Sequence, residues 1–236
     1  MTLPLAILAG GLATRLRPMT ETVPKSLIEV AGKPFIVRQL ELLRRNGFRR
    51  VVLCLGYLGE MVREVVGDGR QWELRVDYAF DGDRLLGTGG ALKRALPLLG
   101  EAFFVMYGDS YLDCNYGAVE DAFRASRKSG LMTVLRNENR WDRSNVLYES
   151  GRIVGYDKRK PSPAMQHIDY GLGILSARAL EGYPEDSAFD LAAVYQDLLA
   201  KDELAGFEVA KRFYEIGSPD GLDETRAYFV EKEGRS

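Results

Sequence analysis

The chain has 236 residues, of which 46% are hydrophobic and 28% charged, and its formal net charge at pH 7 is -2. This composition excludes a disordered or collagen-like chain and is sufficient for a buried core. The nearly balanced charge argues against nucleic-acid binding, and no apolar run approaches the ~18 residues that a membrane helix needs. Residues 1–8 lack a basic segment, so we expect no signal peptide, no membrane association and a cytoplasmic location.

The content of cysteine and histidine restricts the available chemistry. The sequence contains two cysteines, Cys54 and Cys114, and a single histidine, His167. These numbers exclude zinc clusters, disulfide scaffolds and catalysis by paired histidines. Any reaction must therefore use carboxylates, lysine, arginine, hydroxyl groups or the backbone.

The first 140 residues alternate apolar runs of strand length with segments of helical periodicity. Strands are predicted at 3–9, 51–55, 74–78, 102–107 and 131–136, and helices at 34–46, 59–66, 91–96 and 116–129. Residues 12–33, with several Thr and two Pro, are predicted to form a loop. This alternation predicts βαβ units and a mostly parallel sheet.

After residue 140 the pattern changes. We expect a hairpin of strands 145–148 and 152–156, strands at 169–175, 207–210 and 213–216, and helices at 177–182, 190–200 and 218–229. No linker or repeat divides the chain. The prediction is a single α/β domain, residues 1–236, with a Rossmann-like, mostly parallel sheet flanked by helices and a smaller lobe formed mainly by residues 141–236.

A glycine-rich turn follows the first predicted strand. Gly10 and Gly11 allow a ligand to approach the backbone closely, and Arg15 and Lys25 follow in the same loop. Ligands of parallel sheets bind at the carboxyl ends of the strands, so this turn suits a polyanion such as a nucleoside triphosphate. An ordinary turn with basic surface residues remains the alternative.

Two further segments of interest lie at the end of a predicted strand and at the start of a predicted helix. Asp109 lies just past the end of the fourth predicted strand, after Gly108, where a carboxylate can hold Mg²⁺ or form a turn. Residues 86–91 combine glycines with a predicted helix start, which suits an anion or only caps the helix. Neither the P-loop motif nor a complete Gly-x-Gly-x-x-Gly is present, which argues against P-loop NTPases and dinucleotide-binding dehydrogenases.

In this order and spacing, the three segments resemble those of the sugar-1-phosphate nucleotidylyltransferase family. The family motif Gly-Gly-x-Gly-Thr-Arg-Leu-x-Pro-Leu-Thr is matched by residues 10–20, and its Pro-Lys-Pro by residues 24–26. Further matches fall at 31–34, 56–57, 86–91, 108–109 and 213–219. The chain is similar to the short single-domain members, which include heptose 1-phosphate guanylyltransferases and N-acetylmuramate 1-phosphate uridylyltransferases.

The chain departs from the family pattern at several positions. Ala13 replaces a glycine, so the turn is expected to avoid a positive φ or to be slightly reshaped. Ser26 replaces the second proline of Pro-Lys-Pro, and Tyr107 a residue that is often Asn. Glu215 replaces an aspartate that resembles the second metal ligand of family members.

The resemblance implies a glycosyltransferase-A-like nucleotidyltransferase fold, with a nucleotide-binding lobe mainly in residues 1–140 and a sugar-binding lobe mainly in 141–236. It also implies that an NTP and a sugar 1-phosphate form a nucleotide sugar and pyrophosphate by direct displacement. A phosphate monoester is already largely dianionic at pH 7, because its second pKa is about 6, so no general base is required. Positioning and charge neutralisation would account for the catalysis.

The resemblance also implies roles for particular residues. The expected catalytic residues are Arg15, Lys25 and Asp109, and the expected ligands of Mg²⁺ are Asp109 and Glu215. The expected nucleotide-binding residues are Leu8, Ala9, Gly10, Gly11, Thr14, Gly87, Thr88 and Gly89. The expected sugar-phosphate-binding residues are Asp157, Lys158, Tyr170 and Gly171.

Two other functions stay open at this point. One is nucleotidyl transfer to a different acceptor, such as phosphocholine or the molybdenum cofactor. The other is a non-catalytic regulatory subunit that binds nucleotide sugars, for which the Glu215 replacement is the one supporting feature. The expected partners are an NTP and a sugar 1-phosphate, with no nucleic acid and no membrane; a homodimer is also an option.

Overall fold

The structure is a computed structural model that describes residues 3–234. Its strands are β1 Leu5–Leu8, β2 Glu29–Val30, β3 Lys33–Pro34, β4 Arg50–Leu55, β5 Arg75–Phe80, β6 Ala102–Tyr107, β7 Ser110–Tyr111, β8 Gly130–Arg136, β9 Val146–Glu149, β10 Arg152–Tyr156, β11 His167–Ser176, β12 Leu204–Val209 and β13 Tyr214–Glu215. Its helices are α1 Phe35–Arg45, α2 Gly59–Val66, α3 Gly87–Leu99, α4 Tyr116–Ser126, α5 Leu191–Ala200 and α6 Pro219–Gly234. Among these residues, no helix is both long enough and apolar enough to span a membrane.

A nine-stranded mixed sheet forms the centre of the molecule. One half, in the order β6-β1-β4-β5, is entirely parallel. In the other half, β11 runs antiparallel to β6 and β8, and β12 is parallel to β8. The α/β class and the Rossmann-like sheet flanked by helices are confirmed, and the second half of the chain extends the same sheet.

The sheet is covered on both faces, as the apolar run of β1 predicts. Leu5 and Ile7 belong to the hydrophobic cluster on one face and Ala6 to the cluster on the other, and all three are fully buried. A strand buried on both sides has no polar face, because each side chain must leave water. The short strand β1 is thereby fixed at the centre, between β4 and β6.

The structure corrects three of the predicted elements. The helix predicted at 177–182 is a 3-10 turn over Ala177–Leu180. Residues 12–33, predicted as a loop, contain three 3-10 turns and the β2–β3 hairpin. Helix α3 begins at Gly87 rather than at residue 91. Its first turn is stabilised by tertiary contacts that outweigh the low helix propensity of glycine, since the Gly89 N–H donates to the Phe189 carbonyl at 2.9 Å.

A buried arginine attaches helix α6 to the N-terminal segment. Arg38, 4% exposed, donates to the carbonyls of Val30 and Ala31 and forms an ion pair with Glu233. Its guanidinium carbon also lies 4.6 Å from the centre of the Phe229 ring. Five donors in a rigid plane allow one side chain to bind all of these groups together.

Replacing Arg38 by Met is expected to lower the free energy of unfolding by about 2–3 kcal/mol, because buried carbonyls lose charged donors. Chemical denaturation would measure the change. The matched control is Arg70→Met, since Arg70 pairs with Asp68 at the surface and its side chain is 90% exposed. Equal losses for the two variants would contradict the structural role of Arg38.

Candidate active site

Two cavities lie side by side at the carboxyl edge of the parallel half-sheet. The first measures about 230 Å³ and is lined by residues 8–11, 25–26, 54, 81, 85, 87–88, 91 and 107–109. The second measures about 490 Å³ and is lined by residues 15, 107, 109–110, 141–143, 145, 158, 168–171, 213, 215 and 218. Tyr107 and Asp109 line both cavities and therefore form their common wall.

The topology explains this location. Strand β1 has β4 on one side and β6 on the other, so the chain order switches direction there, and open α/β sheets bind ligands at such a switch. Glycines allow the strand ends to approach one another. A β-carbon at Gly10 would lie 2.9 Å from the Gly56 nitrogen, and one at Gly108 would lie 2.7 Å from the Leu8 carbonyl oxygen.

The common wall carries an ion pair between distant parts of the chain. Lys25 Nζ lies 2.7 Å from Asp109 Oδ2, and both side chains are partly buried. Burial acts to raise the pKa of Asp109, but the Lys25 ammonium and hydrogen bonds, one of them from the Ser110 hydroxyl, hold this pKa below its ordinary value. Asp109 is therefore a carboxylate at neutral pH, with a cation beside it.

Arg15 and Glu215 converge on the same wall. The pairing of β13 with β7 places Glu215 opposite Ser110, the residue after Asp109. A β-carbon at Gly217 would lie 2.7 Å from Glu215 Oε2, 3.0 Å from Asp109 Oδ2 and 3.1 Å from Arg15 Nη2. Two carboxylates and a guanidinium thus surround one small volume, although Arg15 and Glu215 are 200 residues apart in sequence.

Neighbouring donors fix the orientation of the Glu215 carboxylate. The Ser218 hydroxyl donates to Oε1 at 2.6 Å, and the Gly217 N–H donates to Oε2. Ser218 also accepts from the Gly221 N–H at 3.1 Å, so the residue that caps the first turn of α6 also positions Glu215.

The carboxylates can hold a hard divalent cation. Within residues 3–234 no three acidic, His or Cys side chains are close enough together to form a metal-binding group. Two carboxylates with open surroundings suit Mg²⁺, which usually keeps several water ligands and binds substrate phosphates. The oxygen donors of Asp109 and Glu215 therefore fit this ion.

In the second cavity, Lys158 is held in place by two acceptors. Its Nζ donates to the Tyr107 hydroxyl at 2.7 Å and lies 3.3 Å from Asp169 Oδ2. The Asp169 side chain is 3% exposed and also accepts from the Tyr156 hydroxyl at 3.2 Å and the Gly171 N–H at 3.0 Å. These contacts position the ammonium group of Lys158 at the wall between the two cavities.

Most of the residues predicted from sequence line one of the two cavities. Leu8, Ala9, Gly10, Gly11, Gly87 and Thr88 line the first cavity, and Arg15, Lys158, Tyr170, Gly171 and Glu215 line the second. Lys25 lines the first cavity, and Asp109 lines both. The Tyr170 hydroxyl is buried without a hydrogen-bond partner among residues 3–234.

Three of the predicted residues lie outside both linings. Gly89 packs against Phe189, and Thr14 is exposed on its 3-10 turn. Asp157 is partly exposed and accepts from the N–H groups of Lys160 and Arg159, which lower its pKa. Asp157 therefore shapes the turn that carries Lys158.

The turn at Ala13 adopts the left-handed conformation, so the first alternative, a turn without a positive φ, was wrong. Ala13 has φ 48° and ψ 43°, and its carbonyl accepts from the Leu16 N–H at 3.1 Å and the Thr20 hydroxyl at 2.9 Å. These two hydrogen bonds offset the steric cost that alanine meets in this region.

Sequence analysis missed several residues that line the cavities. Trp141, Arg143 and Asn145 line the second cavity, Asp81 the first, and Asp169 the wall beside Lys158. Asp81 directly follows β5, so the strand-end rule that identified Asp109 could have identified it as well. The other four carry no local signal, because their position depends on the long-range pairing of β8, β9 and β11.

Asp81 is a buried carboxylate at the back of the first cavity. It is 5% exposed, and its Oδ2 accepts from the Leu86 N–H at 3.1 Å. Burial raises its pKa, and this effect outweighs the lowering by the Leu86 N–H and by Arg94. The charged form is therefore less favourable in the folded protein than in the unfolded chain.

Asp81→Asn is expected to stabilise the protein near neutral pH, because the amide oxygen can still accept from Leu86 and no charge is buried. Because the pKa of Asp81 is raised in the folded state, ionisation of this group destabilises the protein as the pH rises above the ordinary pKa of aspartate. The stabilisation by Asp81→Asn should therefore shrink as the pH falls towards that pKa, below which the carboxyl group is protonated in both the folded and the unfolded protein. Thermal unfolding of both proteins between pH 3 and 8 measures the difference. A stabilisation that grows on acidification would contradict this expectation.

Comparisons with known proteins agree with this geometry. Residues 5–144 match the nucleotidyl transferase family, and the chain belongs to this family. It is 39% identical over 113 residues to N-acetylmuramate alpha-1-phosphate uridylyltransferase of Neisseria meningitidis serogroup B, which covers 48% of this chain and 49% of the relative. It is 32% identical over 224 residues to the catalytic subunit beta of mannose-1-phosphate guanylyltransferase of Drosophila pseudoobscura pseudoobscura, and this match covers 90% of this chain and 58% of the relative. The chain thus spans about half to three fifths of these relatives.

Solved structures confirm the fold. HddC from Yersinia pseudotuberculosis complexed with GMP-PN superposes with a TM-score of 0.79 at 26% identity, over 97% of this chain and all of HddC. A putative glucose-1-phosphate thymidylyltransferase from Bacillus anthracis superposes with a TM-score of 0.85 over 95% of this chain at 18% identity, which supports the fold alone. The family resemblance drawn from the motifs is confirmed.

Proposed function

We propose that this protein transfers a nucleoside monophosphate from an NTP to a sugar 1-phosphate and releases pyrophosphate. The observation that carries the proposal is the Lys25–Asp109 ion pair on the common wall of two cavities. A direct displacement needs two substrates whose reacting atoms meet at one charged point, and this wall supplies it.

The first cavity would bind the nucleotide and the second the sugar 1-phosphate. The backbone of Ala9–Gly11, together with Gly87 and Thr88, would contact the base and ribose. Lys158 would bind the sugar phosphate, because its ammonium group faces the second cavity beside the common wall.

Catalysis would rest on orientation and charge. The sugar phosphate arrives largely dianionic, so its oxygen can attack the α-phosphate without a general base. Lys25 would bridge the two phosphates and hold the attacking oxygen in line. Arg15 would neutralise charge on the departing pyrophosphate, since preorganised donors are most effective where charge develops.

Asp109 and Glu215 would hold Mg²⁺ through their carboxylate oxygens. When bound, the ion would neutralise negative charge on the α-phosphate. The Ser218 hydroxyl and the Gly217 N–H would keep Glu215 oriented, which makes its longer side chain compatible with this role.

The alternative functions receive less support. A regulatory subunit would not need Arg15, Lys25 and Asp109, and all three face the cavities. Both curated relatives are named for sugar 1-phosphate acceptors, which favours that class over phosphocholine; the aromatic residues that line the second cavity do not discriminate between the two. The cytoplasmic location and the homodimer stay predictions.

The test is a matrix of ATP, CTP, GTP, UTP and dTTP against several sugar 1-phosphates, with pyrophosphate release as the readout. At least one pair should react with Mg²⁺ and stop with EDTA. A parallel row with phosphocholine tests the alternative acceptor. Nucleotide-sugar binding without pyrophosphate release in any combination would favour the regulatory subunit.

A further inference from the structure

The second cavity contains one cation, Arg143, to which the proposed reaction assigns no role. Its charged lining residues are Arg15, Arg143, Lys158, Asp109, Asp142, Asp169 and Glu215. Arg15 faces Asp109 and Glu215, and Lys158 pairs with Asp169. Arg143 has no carboxylate within ion-pair distance anywhere in residues 3–234, and its guanidinium makes only a 3.4 Å contact with the Pro161 carbonyl.

Arg143 differs in this respect from the two arginines that precede it in sequence. Arg136 and Arg140 both pair with Glu138, at 2.9 Å and 2.8 Å. Asp142, the only acid beside Arg143 in sequence, accepts instead from the backbone N–H of Arg143 at 2.6 Å. The guanidinium of Arg143 therefore keeps its donors available to a molecule in the cavity.

The loop that carries Arg143 is internally fixed. Asn137, fully buried, donates to the Asp142 carbonyl at 2.6 Å and to the Ser144 hydroxyl at 3.1 Å. The Ser144 hydroxyl also accepts from the Asn139 N–H, and the Ser144 N–H donates back to the Asn139 side chain at 2.9 Å. These contacts fix the backbone from which the Arg143 side chain extends, so ordering the loop adds little to the entropy lost when a ligand binds.

We infer that the acceptor sugar 1-phosphate carries a second negatively charged group, which Arg143 binds; this inference rests on the proposed function. A planar guanidinium matches a carboxylate or a phosphate through two parallel hydrogen bonds. Trp141, two residues earlier in the same loop and also in the lining, provides an aromatic surface beside the sugar ring.

Matched pairs of acceptors test this inference. Glucuronate 1-phosphate is compared with glucose 1-phosphate, N-acetylmuramate 1-phosphate with N-acetylglucosamine 1-phosphate, and glucose 1,6-bisphosphate with glucose 1-phosphate. The first two pairs test a carboxylate and the third a second phosphate. In at least one pair, kcat/KM should favour the charged acceptor by about 10- to 100-fold, as expected for hydrogen bonds to a charged group.

Variants then assign the preference to its residue. Arg143→Gln should bring the charged-to-neutral ratio of kcat/KM close to one, and Arg143→Lys should retain part of it. Arg140→Gln, in the same loop but paired with Glu138, is the control and should leave the ratio unchanged.

The inference is overturned if neutral acceptors react as well as charged ones in every pair, or if Arg143→Gln leaves the ratio intact. Pyrophosphate release with neutral acceptors alone would overturn only this inference, whereas no release with any acceptor would overturn the proposed function too.

Discussion

Lys25→Ala is expected to lower kcat/KM for nucleotidyl transfer by about 10²–10³, the loss typical of removing one preorganised charged donor. In the structure, the Lys25 ammonium group lies 2.7 Å from Asp109 at the wall shared by the two cavities. It would be the cation placed to contact both phosphates. Its removal therefore affects orientation and charge neutralisation together, and steady-state pyrophosphate release measures the loss.

The matched control is Lys33→Ala. Lys33 belongs to the same N-terminal segment but pairs with Glu41 and lines neither cavity. Its removal should change kcat/KM by less than about threefold, because an exposed ion pair contributes little. A Lys25→Ala enzyme that is folded, as shown by an unchanged thermal transition, yet within threefold of wild type would refute the role assigned to Lys25.

Asp109→Asn is expected to lower kcat/KM by a similar or greater factor, about 10³. The amide preserves the shape of the side chain but removes the charge that pairs with Lys25 and that would hold Mg²⁺. The variant should also require a higher Mg²⁺ concentration for half-maximal activity. A titration of Mg²⁺ against the rate separates this effect from a general loss of activity.

Asp109 also has a consequence for stability. Its folded pKa lies below its ordinary value, so its ion pair stabilises the protein above the unfolded pKa and is lost as the pH falls through the folded pKa. The stability difference between wild type and Asp109→Asn should therefore disappear in acid.

Asp113→Asn is the control for the loss of activity, because Asp113 is close in sequence but pairs with Lys211. Equal activity losses for the two variants would contradict the assignment of Asp109.

The parallel half of the fold could be predicted because its signals are local. The apolar run of β1 requires burial on both faces, and the strand ends at a glycine pair. The position of Asp109, two residues past the end of β6, predicted its place at the ligand-binding edge but left a turn-forming role open until the family resemblance was drawn. The glycine turn and Lys25 needed the family resemblance, because composition left an ordinary loop equally open.

The remaining site residues depend on contacts that sequence does not display. Asp169 acquires its role from Tyr156, Lys158 and Gly171, which meet it only when β10 and β11 are in place. Gly89 shows a second limit, because it lies outside both linings, and a glycine required by the packing of Phe189 has the same local signature as one that contacts a ligand. Ala13 shows that a residue other than glycine can take the left-handed conformation in such a turn.

The common wall at the end of β6 has a consequence for how this fold can diversify. The first cavity draws its lining from the parallel half-sheet and α3, whereas most of the second is built from segments around β8–β11. Only Tyr107 and Asp109 belong to both. If the first cavity binds the nucleotide and the second the acceptor, as proposed above, substitutions in residues 137–171 would change the accepted co-substrate and leave the nucleotide pocket intact. Donor and acceptor preferences would then vary separately around the shared wall.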